Sequence, residues 1–285
     1  DAAGSVTLVG SDNAADTAIT DSMPARLADG RVVFASNRDG GPSLWITTSS
    51  STTAKRLFAM NDDDEARFDP APCGTDRILF AVSRTLGAPP EGTPRDLRVA
   101  ALDGSAERPL TRSPADDHAP CLLADQRTVI FVSDRGGAPR LHRLDLDAPD
   151  PETTVRAIET GAGATPAEAY SDAAPACLAD GSILFARTVA GRPSQVMALA
   201  PGTTPPVLRQ ITEANVLPFG AGEPAPIGGG LFLLTAGPGK GPGGKPRYGV
   251  YRLSEGGFNL KRVTRDGAGY SDWARGLELL RSSGR

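Results

Sequence analysis

The stretch DSMPARLADGRVVFASNRDGGPSLWI, residues 21–46, contains an acid-x-x-Pro element, an apolar strand and a Gly-rich turn that leads into a second strand. The run RVVFAS has the continuous apolar character of a strand that is buried on both faces. The turn residues Asp39, Gly40 and Gly41 favour a tight hairpin because they tolerate positive φ. The stretch FVSDRGGAPRLH, residues 131–142, has nearly the same pattern, which indicates that the chain repeats internally.

The apolar strand occurs in five copies, and each copy contains a Phe. These residues are Phe34, Phe80, Phe131, Phe185 and Phe232, at spacings of 46–54 residues. An acid-x-x-Pro element precedes each strand, at Asp21–Pro24, Asp69–Pro72, Asp117–Pro120, Asp172–Pro175 and Glu223–Pro226. A sixth copy begins at Asp272 but has Arg275 in place of the Pro. Two more strands follow each Phe strand, such as SLWITT and KRLFA after the first. With the inner strand at the acid-x-x-Pro element, each copy contains four strands.

Four short antiparallel strands in a repeat of about 50 residues are typical of a β-propeller blade. One such sheet cannot bury both of its faces, whereas stacking on neighbouring sheets around an axis does so. The sequence therefore predicts an all-β fold, a six-bladed β-propeller of four-stranded antiparallel blades in one domain, residues 1–285. The repeats start near residues 21, 69, 117, 172, 223 and 272.

The two ends of the chain are expected to share the last blade. SVTLVG, residues 5–10, precedes the first copy as each outer strand precedes the next, so residues 1–20 would complete that blade. N- and C-terminal strands would then lie in one sheet and close the ring. Because this composite blade is one strand short, five or seven blades stay open as alternatives.

Charge, hydropathy and cysteine count exclude several classes of protein. The net charge is −4 and the basic residues form no stripe, so we expect no nucleic-acid partner. No run of 18 apolar residues occurs, which predicts no transmembrane segment. Three Cys residues allow at most one disulfide, so the chain is no disulfide scaffold. The sequence begins with Asp1 rather than Met, which we interpret as a mature or trimmed form that has lost a signal peptide.

The repeat resembles the WD-like propeller repeat of the TolB type, whose pattern is roughly D-x-x-P-x-W-S-P-D-G-x-x-I-x-F-x-S-x-R-x-G-x-x-x-L-Y. The matching residues of the first copy are Asp21, Pro24, Asp29, Gly30, Phe34, Ser36, Arg38, Gly40, Leu44 and Trp45. Those of the third copy are Asp117, Pro120, Asp125, Phe131, Ser133, Arg135, Gly137 and Leu141. The resemblance implies a bacterial protein exported to the periplasm or the cell exterior, where it binds other proteins. We therefore expect a non-enzymatic binding or scaffold propeller, monomeric, that engages a protein or peptide at one channel mouth.

The acidic residues that open the copies are candidate site residues, and two interpretations apply to them. In the first, each carboxylate accepts hydrogen bonds from backbone N–H groups or from a Ser or Arg of its blade and fixes the inner strand. In the second, the carboxylates meet at one channel mouth and form an acidic rim that attracts a cation or a basic peptide. The rim would consist of Asp21, Asp69, Asp117, Asp172, Glu223 and Asp272. The turn residues Arg38 and Arg135 are interpreted as braces between strands or blades.

A metal site is an alternative for the three cysteines. Cys73, Cys121 and Cys177 follow the prolines of three consecutive copies, and with His118 they form a ligand set that zinc accepts. No C-x2-C pair is present, so we predict no metal and no cofactor, with a divalent cation in the channel as the alternative.

Two other functions are weighed against binding. The first is a carbohydrate-active hydrolase or lyase that uses channel carboxylates, which two carboxylates about 5–9.5 Å apart in a deep cleft would favour for a glycosidase. The second is a purely structural domain. The chain has only two histidines, His118 and His142, and no G-x-S-x-G motif, so neither a His-based lyase site nor a serine hydrolase is predicted.

Overall fold

The computed structural model describes residues 19–47, 53–59, 65–83, 93–160, 169–200, 207–213, 217–218, 220–228, 231–240, 246–254 and 261–262. The predicted strand at residues 5–10 and the copy that begins at Asp272 lie outside these residues. The composite last blade therefore stays a prediction.

Twenty strands form five four-stranded sheets in the described part of the chain, and we number these sheets as blades. Blade 1 contains β1 (Asp21–Arg26), β2 (Val32–Ser36), β3 (Ser43–Thr47) and β4 (Ala54–Arg56). Blade 2 contains β5 (Ala66–Cys73), β6 (Arg77–Ser83), β7 (Asp96–Ala101) and β8 (Arg108–Pro109). Blade 3 contains β9 (Asp117–Leu122), β10 (Thr128–Ser133), β11 (Arg140–Asp145) and β12 (Arg156–Ala157), with a 3-10 turn at Pro151–Thr154. Blade 4 contains β13 (Tyr170–Cys177), β14 (Ile183–Val189), β15 (Gln195–Leu199) and β16 (Leu208–Gln210). Blade 5 contains β17 (Ala221–Gly228), β18 (Leu231–Lys240), β19 (Pro246–Ser254) and β20 (Lys261–Arg262).

Within each sheet every strand pairs antiparallel with the strand that follows it in the chain. This meander, repeated from blade to blade, confirms the predicted all-β propeller of four-stranded antiparallel blades. The described residues contain five such blades rather than the six that the repeat count predicts. The difference concerns the residues of the sixth copy and of the N-terminal strand, which the description does not reach.

The core consists of apolar clusters that lie between consecutive blades. The cluster between blades 1 and 2 contains Ile46 and Phe80, and the cluster between blades 2 and 3 contains Leu97 and Phe131. The largest side chains that are fully buried in the described residues are Phe80, Phe131, Phe185 and Phe232. Burial of an aromatic side chain contributes about 1.5–3 kcal/mol, so the repeated Phe is one reason why each sheet stacks on its neighbour.

The fifth Phe is offset from the other four. Ala25 pairs with Val33 in blade 1, and the equivalent Ala225 pairs with Leu233 in blade 5. Leu234 therefore occupies the register of Phe34, and the alignment of Phe232 with that position was wrong by two residues. Because side chains two residues apart on a strand share a face, Phe232 still points toward blade 4.

The first strand of each blade is its inner strand, and the inner strands of consecutive blades contact one another around the channel. We name the end where these strands begin the first mouth, and the end where they finish the second mouth. The pairing of Asp21 with Ser36 places the β2–β3 turn at the first mouth. The β1–β2 turn lies at the second mouth, and the same holds in the other blades because their strands pair in the same way.

Candidate functional site

One backbone hydrogen bond defines equivalent positions at the first mouth. In each case the N–H of one residue within the first three of the inner strand, which we call the opening position, donates to the carbonyl directly before the third strand of the preceding blade. The donors and acceptors are Arg67 and Pro42 at 3.0 Å, Asp117 and Arg95 at 2.9 Å, Asp172 and Pro139 at 3.0 Å, and Ala221 and Ser194 at 2.7 Å. Asp21 holds this position in blade 1, since it pairs with Ser36 as Asp117 pairs with Ser133.

A bulge two residues further along gives a second landmark. Its central residue has φ near the left-handed region in all five blades and precedes a Pro. These residues are Met23 at 51°, Asp69 at 49°, Ala119 at 49°, Ala174 at 48° and Glu223 at 50°. The left-handed conformation costs a non-Gly residue roughly 1–2 kcal/mol. Its recurrence in all five described blades shows that the bulge is a structural feature of the inner strand.

These landmarks correct the predicted acid-x-x-Pro alignment in two copies. Arg67 and Ala221 occupy the opening position of blades 2 and 5, while Asp69 and Glu223 lie at the bulge. The false match arises because the sequences DPAP and EPAP each contain two prolines, and the second Pro was taken for the first. The six predicted acids are therefore not one equivalent set.

Two of the opening carboxylates are held by the arginine of the repeated turn. Arg38 donates through Nη2 to both oxygens of Asp21, at 2.8 and 2.7 Å, and through Nε to Ser36 at 3.0 Å. Arg135 repeats this geometry with Asp117 at 2.8 Å and Ser133 at 3.0 Å. Both arginines thus brace one strand against another within a blade, which confirms their interpretation as braces.

Blade 4 makes the same ion pair with an arginine from a different position. Arg187 stands where blades 1 and 3 have Ser, and its Nε donates to Asp172 at 2.7 Å. Both side chains are at most 7% exposed, and Arg187 also donates to Thr160. The carboxylate at the opening position is consequently neutralised in blades 1, 3 and 4.

Blade 2 carries the opposite charge at the opening position. Arg67 lies 3.4 Å from Glu107 and 3.6 Å from Glu65, and Arg98 pairs with the same two carboxylates at 2.6 and 2.5 Å. The Arg67 guanidinium also lies 4.6 Å from the centroid of the Phe58 ring. This inversion keeps an ion-pair network at the opening position but removes blade 2 from the predicted acidic rim.

Asp69 links three blades from its place in the bulge. Its N–H donates to Met23 Sδ of blade 1 at 3.4 Å, and its Oδ2 accepts from the N–H of Ala119 in blade 3 at 3.2 Å. Arg95 also approaches Asp69 at 3.3 Å and donates to Asp116 at 2.8 Å. Asp69 is therefore a structural link between blades. Of the other predicted rim residues, Glu223 is exposed, and Asp272 lies outside the described residues.

The electrostatics around Asp116 favour its charged form. Burial alone would raise the pKa of Asp116. Hydrogen bonds from Arg95 and His118, together with their positive charge, outweigh burial and hold the pKa of Asp116 well below its usual range. Asp116 is thus ionised at neutral pH and helps to join blade 2 to blade 3.

A cavity of about 330 Å³ lies at the second mouth. Two rings of inner-strand residues supply most of its wall. The first ring is Ala25, Ala71, Cys121, Ala176 and Ala225, and the second is Arg26, Pro72, Leu122, Cys177 and Pro226. Pro24, Pro175, Pro224 and the turn residues Gly74 and Gln126 complete the lining. Small residues are needed in the first ring because the inner strands converge on one axis.

The chain is similar to known proteins in part of its sequence and in its fold. No family model matches the chain. The Tol-Pal system protein TolB of Bordetella pertussis is 44% identical over 52 residues, which is 18% of this chain and 12% of that protein. Crystal structures of TolB from Acinetobacter baumannii and of a putative TolB from Agrobacterium tumefaciens superpose with a TM-score of 0.60 each, at 18% and 15% identity. The chain therefore shares the β-propeller fold of these structures, and over 52 residues it is similar in sequence to TolB. The two superpositions cover 85% and 87% of this chain, and 54% and 82% of the respective structures.

The cysteines of this propeller do not come together as the alternative metal site. Cys121 and Cys177 form a disulfide between the inner strands of blades 3 and 4. Cys73 is a buried free thiol in the cluster between blades 2 and 3, and burial raises its pKa. His118 lies 3.3 Å from Asp116 instead. No group of three potential metal ligands comes together within the described ranges.

The sequence did not predict the cavity at the second mouth or the disulfide in its wall. The signal for the cavity was present, since a small residue follows the bulge Pro in every described copy. The disulfide had no such signal, because Cys121 lies one residue and Cys177 two residues after their prolines. As for membrane association, no helix in the part of the chain described here has the length and apolar character to cross a bilayer.

Proposed function

We propose that this TolB-type propeller is a non-enzymatic binding module that docks a protein or peptide at its second mouth. The observation that carries the proposal is the cavity of about 330 Å³, whose wall is mostly Pro and Ala. Concave, largely apolar sites with few polar groups are the usual form of ligand sites. A wall built from inner strands also loses little conformational freedom of its own on binding, which lowers the entropic cost of docking.

The first mouth supports this choice of face. Asp21, Asp117 and Asp172 are paired with arginines of their own blades, and Asp69 bonds to blade 3. A carboxylate that is already neutralised attracts a cation or a basic peptide only weakly. We therefore infer that these four predicted rim residues have a structural role in the inner strands. We propose that the partner binds at the opposite end of the channel.

The chemistry of the cavity favours binding over hydrolysis or elimination. Glycosidases need two carboxyl groups about 5–9.5 Å apart across the scissile bond. The lining residues that belong to the described part of the chain include no Asp, Glu, His, Ser or Tyr. A hydrolase or lyase site in this cavity would therefore have no side chain to act as the general acid or base.

The relatives support the class of partner and the compartment. The matched relative is named as a Tol-Pal system protein, which favours a role in a protein assembly. Export to the periplasm agrees with the disulfide between Cys121 and Cys177, because disulfides persist in oxidising compartments. We propose an exported, monomeric propeller that acts by binding.

We also propose that a sixth, composite blade closes the ring, with residues 5–10 and the copy that begins at Asp272 in one sheet. The proposal rests on the sixth copy in the sequence and on the blade-to-blade contacts that the inner strands repeat. Removal of residues 1–18 should then lower the melting temperature by more than 10 °C, because one strand of the closing sheet is lost. An unchanged melting temperature would contradict the closure.

A capture experiment tests the binding function and its face. Exported proteins of the bacterium that encodes the chain are passed over immobilised wild type, Gln126→Trp and Gln210→Trp. Gln126 lines the cavity, whereas Gln210 is exposed on an outer strand and serves as the matched control. We expect wild type and Gln210→Trp to retain the same partner and Gln126→Trp to lose it. Retention by all three proteins, or turnover of polysaccharides by the wild type, would contradict the proposal.

A further inference from the structure

Among the described residues that line the cavity, Arg26 is the one that carries a charge. It holds the same position in blade 1 that Pro72, Leu122, Cys177 and Pro226 hold in the other described blades. The Arg26 guanidinium lies against Gly30 in the β1–β2 turn. If residue 30 had a Cβ atom, that atom would be 3.5 Å from Arg26 Nη2. No hydrogen bond or ion pair joins the Arg26 side chain to another described residue. This contrasts with Arg38, Arg67, Arg95, Arg98, Arg135 and Arg187, which all pair with carboxylates.

An unpaired guanidinium beside an apolar wall favours an anionic partner. Its five donors match the two oxygens of a carboxylate, and such pairs are frequently bidentate. The interaction is stronger next to an apolar wall than in bulk water because the local dielectric constant is lower. The apolar rings around Arg26 would in turn favour small apolar side chains beside that carboxylate.

The size of the cavity selects the end of a chain over its middle. At about 330 Å³ it lies at the lower limit of ligand pockets, so it holds only a few residues. Capture of a C-terminal carboxylate is an established mode of peptide recognition. A segment from the middle of a chain continues in both directions and so needs more room than a chain end.

We propose that the second-mouth cavity binds the C-terminal end of an apolar peptide, with the Arg26 guanidinium paired to the terminal carboxylate and the Pro and Ala rings around the last side chains. This proposal deepens the binding function given above and rests on it for the choice of mouth. It makes Arg26 the residue that determines the specificity for a chain end.

Short peptides test the proposal on the whole protein. The probes are acetyl-Ala-Pro-Leu with a free carboxylate, the same peptide as the C-terminal amide, and acetyl-Ala-Asp-Leu amide, which carries its carboxylate on a side chain. Isothermal titration calorimetry with wild type should give at least tenfold tighter binding for the free acid than for either amide. Equal binding of the three probes, or no binding of the free acid up to 10 mM, would overturn the proposal. This comparison needs no variant, so a folding defect cannot obscure it.

Variants identify the residue responsible. Arg26→Gln should remove the tenfold preference for the free acid, and Arg26→Lys should retain part of it because the charge remains without the planar fork. Arg31→Gln is the matched control, since Arg31 lies beyond the same turn and pairs with Asp29 at 2.7 Å. A preference that persists in Arg26→Gln, or that is lost equally in Arg31→Gln, would contradict the assignment of Arg26.

The capture experiment and the peptide titrations together distinguish failure of the chain-end specificity from failure of the proposed binding function. Capture of a protein partner that depends on Gln126 but not on Arg26 would refute the chain-end specificity and leave the binding function in place. Binding of the free-acid probe that depends on Arg26, without any captured protein partner, would support the site and refute the partner class.

Discussion

Arg38 and Asp21 lie in different elements of blade 1, yet one guanidinium nitrogen contacts both carboxylate oxygens, at 2.8 and 2.7 Å. The same guanidinium lies 4.7 Å from the centroid of the Trp45 ring. Arg135 repeats the pair with Asp117, and Arg187 restores it with Asp172 from another position. The carboxylate at the opening position therefore stabilises the inner strand in three blades. We expect its removal to lower the free energy of unfolding rather than the affinity for a partner.

Replacement of Arg38 should destabilise the fold. Arg38→Ala is expected to lower the free energy of unfolding by about 2 kcal/mol, between the values for surface and for buried ion pairs, because the Arg38 side chain is 6% exposed and that of Asp21 is 29% exposed. Urea denaturation measures the change. Arg31→Ala, at a more exposed pair, should cost less than about 1 kcal/mol. Loss of partner binding with no change in stability would show that Arg38 is a binding residue.

The buried pair in blade 4 should show strong coupling. Asp172→Leu alone leaves the Arg187 charge buried without its carboxylate and should cost about 3–5 kcal/mol. Addition of Arg187→Met should recover part of this loss, because the uncompensated charge is then absent. A double-mutant cycle by chemical denaturation measures the coupling. If the two changes in the free energy of unfolding were simply additive, Asp172 and Arg187 would not stabilise the fold as an ion pair.

Asp116 should make stability depend on pH in the acid range. Because the pKa of Asp116 is lowered in the folded state, its contribution to stability is fully present above the unfolded value of about 3.9 and is lost as the pH falls below it. We expect wild type to be more stable than Asp116→Asn at pH 6 and the difference to shrink between about pH 4 and pH 2. Denaturation curves across this range measure the difference. A constant difference would mean that Asp116 stabilises through shape rather than charge.

The disulfide should stabilise the ring at the seam between blades 3 and 4. It joins residues 56 apart in the chain, for which the loop-entropy relation gives about 4 kcal/mol. A phosphine reductant should therefore lower the melting temperature of wild type. The variant with Cys121→Ala and Cys177→Ala should melt at the lower temperature with or without the reductant. An equal decrease in the melting temperature of both proteins would show that the reductant does not act through this disulfide.

Much of the fold could be predicted because its signals are local and repeated. The turn that contains Arg38 recurs with Arg135, so both could be interpreted as braces before any coordinates were known. The opening position of blade 2 could not, since Arg67 replaces the expected acid and the neighbouring Pro-Ala-Pro provides a false match. Pattern matching cannot separate these cases, because the register depends on a backbone bond to the preceding blade.

The candidate site was less predictable because it depends on contacts between blades. Cys121 and Cys177 meet only because consecutive inner strands lie side by side, at different offsets from their prolines. Arg26 looks like any strand arginine in the sequence, and only the ring of Pro72, Leu122 and Pro226 around the channel marks it as different. Properties of single blades could thus be predicted from the sequence, whereas properties that depend on the packing of neighbouring blades could not.

Site-specific photo-crosslinking can show whether a partner docks at the second mouth, as proposed above. A benzophenone amino acid is placed at Gln126, in the wall of the cavity, or at Ala190, in an exposed turn on the first-mouth side. The account predicts that irradiation in the presence of the captured partner gives a covalent adduct from position 126 and none from position 190. An adduct from position 190 alone would contradict it.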